Sequence, residues 1–171
     1  MNLRSLAQRD QFELAAKDFL ARLFTNLNDL YTIDLDSFEL DHICWRSENY
    51  SDYNFIESIL LHHGRMFHKN IHNGRPISLI TLDEPIKYSS REIYLIELPA
   101  PRAGKPYQNG FEHAEFVINS EINEFVLKHP ILPFNTENIG KRINPDVKLT
   151  VGAFTVKFHP YSLAHVVKNL E

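Results

Sequence analysis

The sequence predicts an α+β protein made of two halves with the same element order, a strand, a helix and further strands, behind an N-terminal helical extension. Three observations carry this. Apolar residues recur at three- and four-residue intervals over the first thirty positions. From residue 38 the pattern turns to short, strand-forming runs interrupted by one helix. Finally, Leu40-Asp41-His42 is echoed by Phe111-Glu112-His113, so the second half restarts as the first began.

Each element follows in chain order. Leu3, Leu6, Phe12, Ala16, Phe19, Leu20, Leu23, Phe24, Leu27 and Leu30 form one apolar stripe, which predicts amphipathic helices in an extension over residues 1–37. "FELDHICWR" is the first strand, and "YSDYNFIESILLHHG" a helix with Phe55, Ile56, Ile59 and Leu60 on one face and Gly64 at its end. "RMFHKNI" and "ISLITL" flank a tight hairpin at Asn73-Gly74, and "REIYLIELP" follows. Pro99, Pro101, Gly104 and Pro106 then mark a loop, separating a first module at 38–101 from a second at 110–171. In the second module "GFEHAEFVI" is a strand, "NSEINEFVLKHP" a helix capped by Ser120, and "DVKLTV" with "AFTVKFH" a hairpin across Gly152. "ILPFNTENIGKRINP" has few consecutive strand formers and is expected to be irregular or short.

Composition narrows the functional classes. A chain of 171 residues, 43% hydrophobic and 23% charged, supports one compact core. With Lys+Arg 18 against Asp+Glu 22 and a net charge of −4, no basic surface for nucleic acid is expected. Charges at Arg9, Asp10 and Glu13 interrupt the start before a signal-peptide core can form, and no apolar run reaches the length of a membrane span, so a cytoplasmic protein is expected. The single cysteine, Cys44, excludes an internal disulfide and a multi-cysteine zinc site. Nine histidines remain to be explained.

Strand parity sorts them. Successive side chains point to opposite faces, so His42, Cys44 and Arg46 share one face of the first strand and Asp41, Ile43 and Trp45 the other. His113 pairs with Glu115, and Thr155, Lys157 and His159 oppose the apolar stripe Phe154, Val156 and Phe158. Glu97 sits in an otherwise apolar strand, where a carboxylate must be paired or bound to a metal. His42, His113 and Glu97 supply two imidazoles and a carboxylate, a set suited to a divalent transition metal with open positions, with His159 as a fourth ligand. Pairing of Glu97 with Arg46 or Arg75 is the alternative. His62, His63, His68, His72, His129 and His165 fall on helix surfaces or turns and are given no role.

"DHICWR", "NGRPISLITLDEP", "YLIELPAP", "GFEHAEFV", "NPDVKLTV" and "VKFHPYSL", in this order, resemble the bacterial YecM family over roughly residues 38–170. That family belongs to the vicinal oxygen chelate superfamily, with glyoxalase I, methylmalonyl-CoA epimerase, extradiol dioxygenases and bleomycin-resistance proteins. The resemblance implies paired βαβββ modules forming a curved mixed sheet around a cleft, with metal ligands on the first and last strands of each module. Carried onto this chain it implies His42 and Glu97 from module one and His113 from module two. Glyoxalase-like members commonly have glutamate at the fourth position, whereas this chain offers Lys157 or His159 there. His159 is favoured as the ligand, with Lys157 as a charge for an anionic substrate or enolate.

The function so implied is that of a divalent-metal enzyme (Zn, Ni, Mn, Fe or Co) of isomerase, epimerase, lyase or oxygenase type, acting on a small oxygenated substrate. Arg46, Arg75 and Lys157 are candidate substrate anchors, and Glu115 and Lys157 candidate catalytic groups. A non-catalytic sequestering protein of the same fold is the alternative; aromatic rather than polar residues at the site would favour it. No membrane or nucleic-acid partner is expected, and the sequence carries no mark of oligomeric state.

Overall fold

The computed structural model describes residues 3–169. The first two and last two positions, which the predicted ranges 1–37 and 38–171 include, lie outside the described residues. The elements are a 3-10 turn at Leu3–Ala7, α1 Arg9–Leu30, β1 Glu39–Arg46, α2 Tyr50–His62, β2 Gly64–His72, β3 Arg75–Tyr88, β4 Arg91–Pro99, β5 Gly110–Val117, α3 Ile122–Lys128, β6 Val147–Val151, β7 Phe154–His159 and α4 Leu163–Asn169. This is the expected α+β class, with parallel and antiparallel strands mixed. Among the described residues no helix is long and apolar enough to cross a membrane.

The chain divides into two compact units. One takes the residues up to Ala21 with Ile43–Glu112, the other Arg22–His42 with the chain from His113 onward. Both α1 and β1 therefore contribute to each.

In the first unit hydrogen-bonded strands run β2-β3-β4-β1. The β2-β3 turn is Asn73-Gly74, with φ of 51° and 76°, the left-handed pair that a two-residue hairpin twisted like its strands requires. β3 runs further than "ISLITL", but its pairing with β4 shifts between Thr81 and Ile86. The shift falls at Pro85, which has no N–H to give a ladder and is accommodated by the irregularity. Arg9 Nη2 donates to the Glu84 carbonyl at 2.7 Å, tying α1 to this stretch. Trp45, Phe12 and Phe19 all meet the Phe111 ring, at 5.0, 5.6 and 5.5 Å between centroids.

α2 begins at Asn49, whose side chain accepts from Asp52 N at 2.9 Å. It buries Tyr53, Ile56, Ile59 and Leu60 and leaves Phe55 exposed. The expected face was thus displaced by a fraction of a turn, because Tyr53 carries a hydroxyl that the interior satisfies: it shares hydrogen bonds with Ser78 Oγ at 2.7 Å and Glu57 Oε1 at 3.0 Å. Lys69 Nζ donates to both Glu57 oxygens, at 2.7 and 2.9 Å. Burial raises the Glu57 carboxyl, but the hydrogen bonds from Lys69, Ser78 and Tyr53 outweigh it and hold the group below its usual range.

The second unit runs β5-β7-β6, with β1 next to β5. β5 and β7 are parallel, and β6 and β7 form the expected hairpin across Gly152, at φ 63°. Phe158 of β7 packs on Phe125 of α3 at 4.9 Å and on Phe116 of β5 at 5.9 Å, which sets the apolar side of these strands. α3 starts at Ile122 with Glu121 as its N-cap and no side-chain cap, so Ser120 does not cap it. The stretch expected to be irregular contains one bridge, Asn135 with Lys148. α4, seven residues long, was not anticipated.

Two outcomes test this account. A Cβ on Gly64 would lie 2.2 Å from the Thr81 carbonyl oxygen, a backbone atom that cannot step aside. G64A is expected to cost about 1–3 kcal/mol, read from the urea midpoint. E57Q removes an acceptor of charge-assisted bonds and is expected to cost about 1–3 kcal/mol near neutral pH. Because the folded-state pKa of Glu57 is lowered, its contribution is present above the ordinary carboxylate pKa and lost as pH falls through the lowered one. Stability measured against pH should therefore fall less steeply on the acid side in E57Q than in the parent.

Candidate metal centre in the second unit

The polar side chains of the second unit converge on one buried carboxylate. Register on the parallel pair sets Glu115 beside Lys157, with His113 opposite Thr155 and Val117 opposite His159. Same-face neighbours on adjacent strands lie within side-chain reach, so His113, Glu115, Lys157 and His159 gather on the side away from Phe158. β1 adds His42, and the His42, His113 and His159 residues are each 1% exposed.

Glu115 is the hub. Its Oε1 lies 3.1 Å from His113 Nε2 and 3.5 Å from His42 Nε2, and it accepts a hydrogen bond from Lys157 Nζ. Its Oε2 lies 3.5 Å from His159 Nε2. Lys157 Nζ is also 3.1 Å from His113 Nε2. Burial would raise the Glu115 carboxyl, but the Lys157 charge first, then His42 and the hydrogen bonds of His113 and His42, hold it well below the usual carboxylate range.

Two of the imidazoles are oriented from behind. His42 Nδ1 donates to Asp41 Oδ2 at 2.8 Å, and the same oxygen accepts the Leu163 N–H at 2.9 Å. His159 Nδ1 donates to the Tyr161 carbonyl at 2.6 Å. A carbonyl only accepts, so Nδ1 of His159 carries the hydrogen and, in the neutral ring, Nε2 presents a lone pair. Burial lowers the His159 pKa more than Glu115 and Asp41 raise it, which keeps the ring neutral. For His42 burial also lowers the pKa, but the Glu115 charge and the Asp41 hydrogen bond outweigh it and raise it to about 10. Asp41 is itself held below its usual range: burial raises it, but the His42 hydrogen bond, the charges of His42 and His159 and the Leu163 amide outweigh this.

This arrangement fits a divalent cation. The Nε2 atom of His159 is buried and has no hydrogen-bond partner among the described residues, while that of His42 lies 3.5 Å from Glu115 Oε1. The lone pair of neutral His159 faces Glu115 Oε2 at 3.5 Å, an arrangement a cation between them would satisfy. Donor atoms of Asp41, His42 and His159 lie within 4.8 Å of one another, as do those of His42, His113 and Glu115. Backing of a ligand imidazole by a carboxylate or carbonyl is the usual way such rings are fixed at metals.

Within the second unit, the sequence candidates His42, His113, His159, Glu115 and Lys157 are brought together. Glu97 stands half-buried on β4 of the first unit, paired in register with Leu79, and contributes negative charge beside Arg46. Arg46 is hydrogen-bonded to Glu112 and lies over the Tyr107 ring at 5.2 Å. Arg75 is buried at the start of β3. Sequence reasoning missed Asp41 and the Tyr161 carbonyl. Parity assigned Asp41 to the opposite face, yet its carboxylate reaches the adjacent ring; the neighbouring Asp-His pair was the only signal.

A model of the family described as YecM protein matches residues 9–134. An uncharacterized protein of Haemophilus influenzae is 32% identical over 152 residues, covering 77% of this chain and 80% of its own length. Among solved structures, Protein EC4020 from structural genomics matches with a TM-score of 0.76 at 24% identity, over 100% of this chain and 97% of that one. A variant of Streptomyces coelicolor methylmalonyl-CoA epimerase, in complex with 2-nitronate-propionyl-CoA, matches with a TM-score of 0.50 at 11% identity, over 72% and 94% of the two chains. The likeness is one of fold, that of the vicinal oxygen chelate proteins. On the extent of the family match, this chain is a member of the YecM family.

Proposed function

We propose that the second unit binds a divalent transition metal through His42, His113, His159 and Glu115, and that the protein is a metal-dependent enzyme acting on a small oxygenated substrate. The observation that carries this reading is the buried His159 Nε2, without a hydrogen-bond partner among the described residues, facing the same carboxylate as His42 Nε2, with both rings fixed from behind through Nδ1. Three nitrogen donors and one oxygen donor suit zinc, iron, cobalt, nickel or manganese. Such an ion would act as a Lewis acid on a chelated carbonyl or hydroxyl oxygen.

The chain's own residues supply the rest. Asp41 holds His42 in the tautomer that presents Nε2, and the Tyr161 carbonyl does the same for His159. Lys157, hydrogen-bonded to Glu115 and close to His113, is the ammonium available to hold an anionic oxygen of the substrate. Without metal, Lys157 and protonated His42 balance the charges of Glu115 and Asp41, so an incoming dication must displace the His42 proton and loosen Lys157. The polar character of this cluster favours metal binding over sequestration in an aromatic-lined site.

Protein purified without added metal should carry a transition metal by elemental analysis, and a thermal-shift panel should pick out one or more stabilising ions. The H42A/H113A double variant should lose both, and equal metal content in parent and variant would end the reading. K157M, which leaves Glu115 and His113 free of the competing ammonium, is expected to bind the same ion about tenfold tighter by calorimetry, the size of one charge-assisted hydrogen bond. Unchanged or weaker affinity would mean that Lys157 does not compete for these donors.

A further inference from the structure

A second buried cation lies in the first unit, and its electrostatics are not balanced in the same way. Arg75 is 8% exposed, and its Nη1 donates to the Ala100 carbonyl at 2.8 Å. Its Nε has no hydrogen-bond partner, and no carboxylate forms an ion pair with it, among the described residues. Guanidinium cannot escape burial by losing its proton, so an interior arginine without an anion carries an uncompensated cost. Two other cations of this unit have carboxylate partners: Arg46 has Glu112 and Lys69 has Glu57.

The backbone holds Arg75 there. It follows the Asn73-Gly74 turn and pairs with His72 as the first rung of the hairpin, while the Ala100 amide donates to the Pro76 carbonyl at 2.8 Å and brings the following loop against the strand. Between the turn and that loop is a cavity of about 330 Å³, lined by Tyr50, Gly74, Arg75, Pro101, Arg102 and Ala103 among others. No acidic side chain lines it. Its size is at the lower end for small-molecule pockets, and its walls pair two guanidinium-bearing residues with a phenol ring, a proline ring and a methyl group.

We infer that this pocket binds a small organic carboxylate, with the anion on Arg75 and Arg102 and the apolar body against Tyr50, Pro101 and Ala103. A planar carboxylate matches the guanidinium fork, and the Tyr50 ring offers a face for an apolar or aromatic body. The pocket lies within the first unit and uses none of the residues proposed as metal ligands, so it stands or falls independently of the metal centre.

Titration of sodium benzoate into the full chain at low ionic strength, followed by amide NMR, tests it. Saturable shifts are expected at Gly74, Arg75 and Ala103, with benzoate binding about fivefold or more tighter than inorganic phosphate, which lacks the apolar body. R75Q should weaken benzoate binding by about tenfold or more, and the exposed-side variant R102A by about two- to fivefold. Absence of saturable shifts, tighter binding of phosphate than benzoate, or unchanged benzoate affinity in the folded variants overturns the proposal. Should R75Q fail to fold, the parent titrations and R102A decide it alone.

Discussion

Keeping a carboxylate charged in the interior is the constraint around which the second unit is arranged. Glu115 is 12% exposed at its side chain and lies among three imidazoles, so it needs positive charge or donors at each oxygen. Lys157 supplies one cation directly from the neighbouring strand, and His42 supplies another because Asp41 and Glu115 together raise its pKa to about 10. The chain of dependence then reaches outward. Asp41 is held by the Leu163 amide at the head of α4, and His159 by the carbonyl of Tyr161 just before that helix. A short C-terminal helix that looks peripheral is therefore part of what orients two of the rings.

Rigid placement of these groups comes from the opposite side of the same strands. Alternation on β7 sends Phe154, Val156 and Phe158 into the apolar interior and leaves Lys157 and His159 on the polar side. Packing of Phe158 on Phe116 and Phe125 fixes the strand position, and the parallel register with β5 then fixes the Glu115-Lys157 pair. A ligand set carried by strands anchored in this way is held more closely than one carried by loops. The two units also repeat one order of strands. From β1 the first runs β4, β3, β2, and from β5 the second runs β7, β6 and then the single bridge at Asn135 in the place of a fourth strand.

Much of this was legible from local pattern, and the failures share a cause. Asn73-Gly74 and Gly152 announced their turns because positive φ is a local demand. Period-two alternation correctly grouped His113 with Glu115 and Lys157 with His159. Tyr53 was overlooked on α2 because its burial depends on Ser78 and Glu57, which meet it only in three dimensions. Asn135 could not be read as a bridge, since its partner Lys148 lies across an irregular segment. Parity failed for Asp41 because it predicts the direction of a Cβ and not the reach of a carboxylate toward the adjacent ring. The echo between the two opening strands marked the imidazoles, while the groups that orient them left almost no trace in the sequence.

The same accounting of buried charge separates two cations that the sequence presented as equivalent anchors. Lys157 and Arg75 are both basic residues, and both are candidates from the sequence to hold a substrate anion. Lys157 already has a carboxylate, so any anion it binds must compete with Glu115, and its natural role is tied to whatever else Glu115 binds. Among the described residues Arg75 has only a carbonyl, a neutral acceptor that cannot offset a full charge. A lysine can also shed its proton in a hostile environment, whereas an arginine cannot. The residue with the incomplete set of partners, rather than the one nearest the conspicuous cluster, is therefore the stronger indication of a ligand of its own.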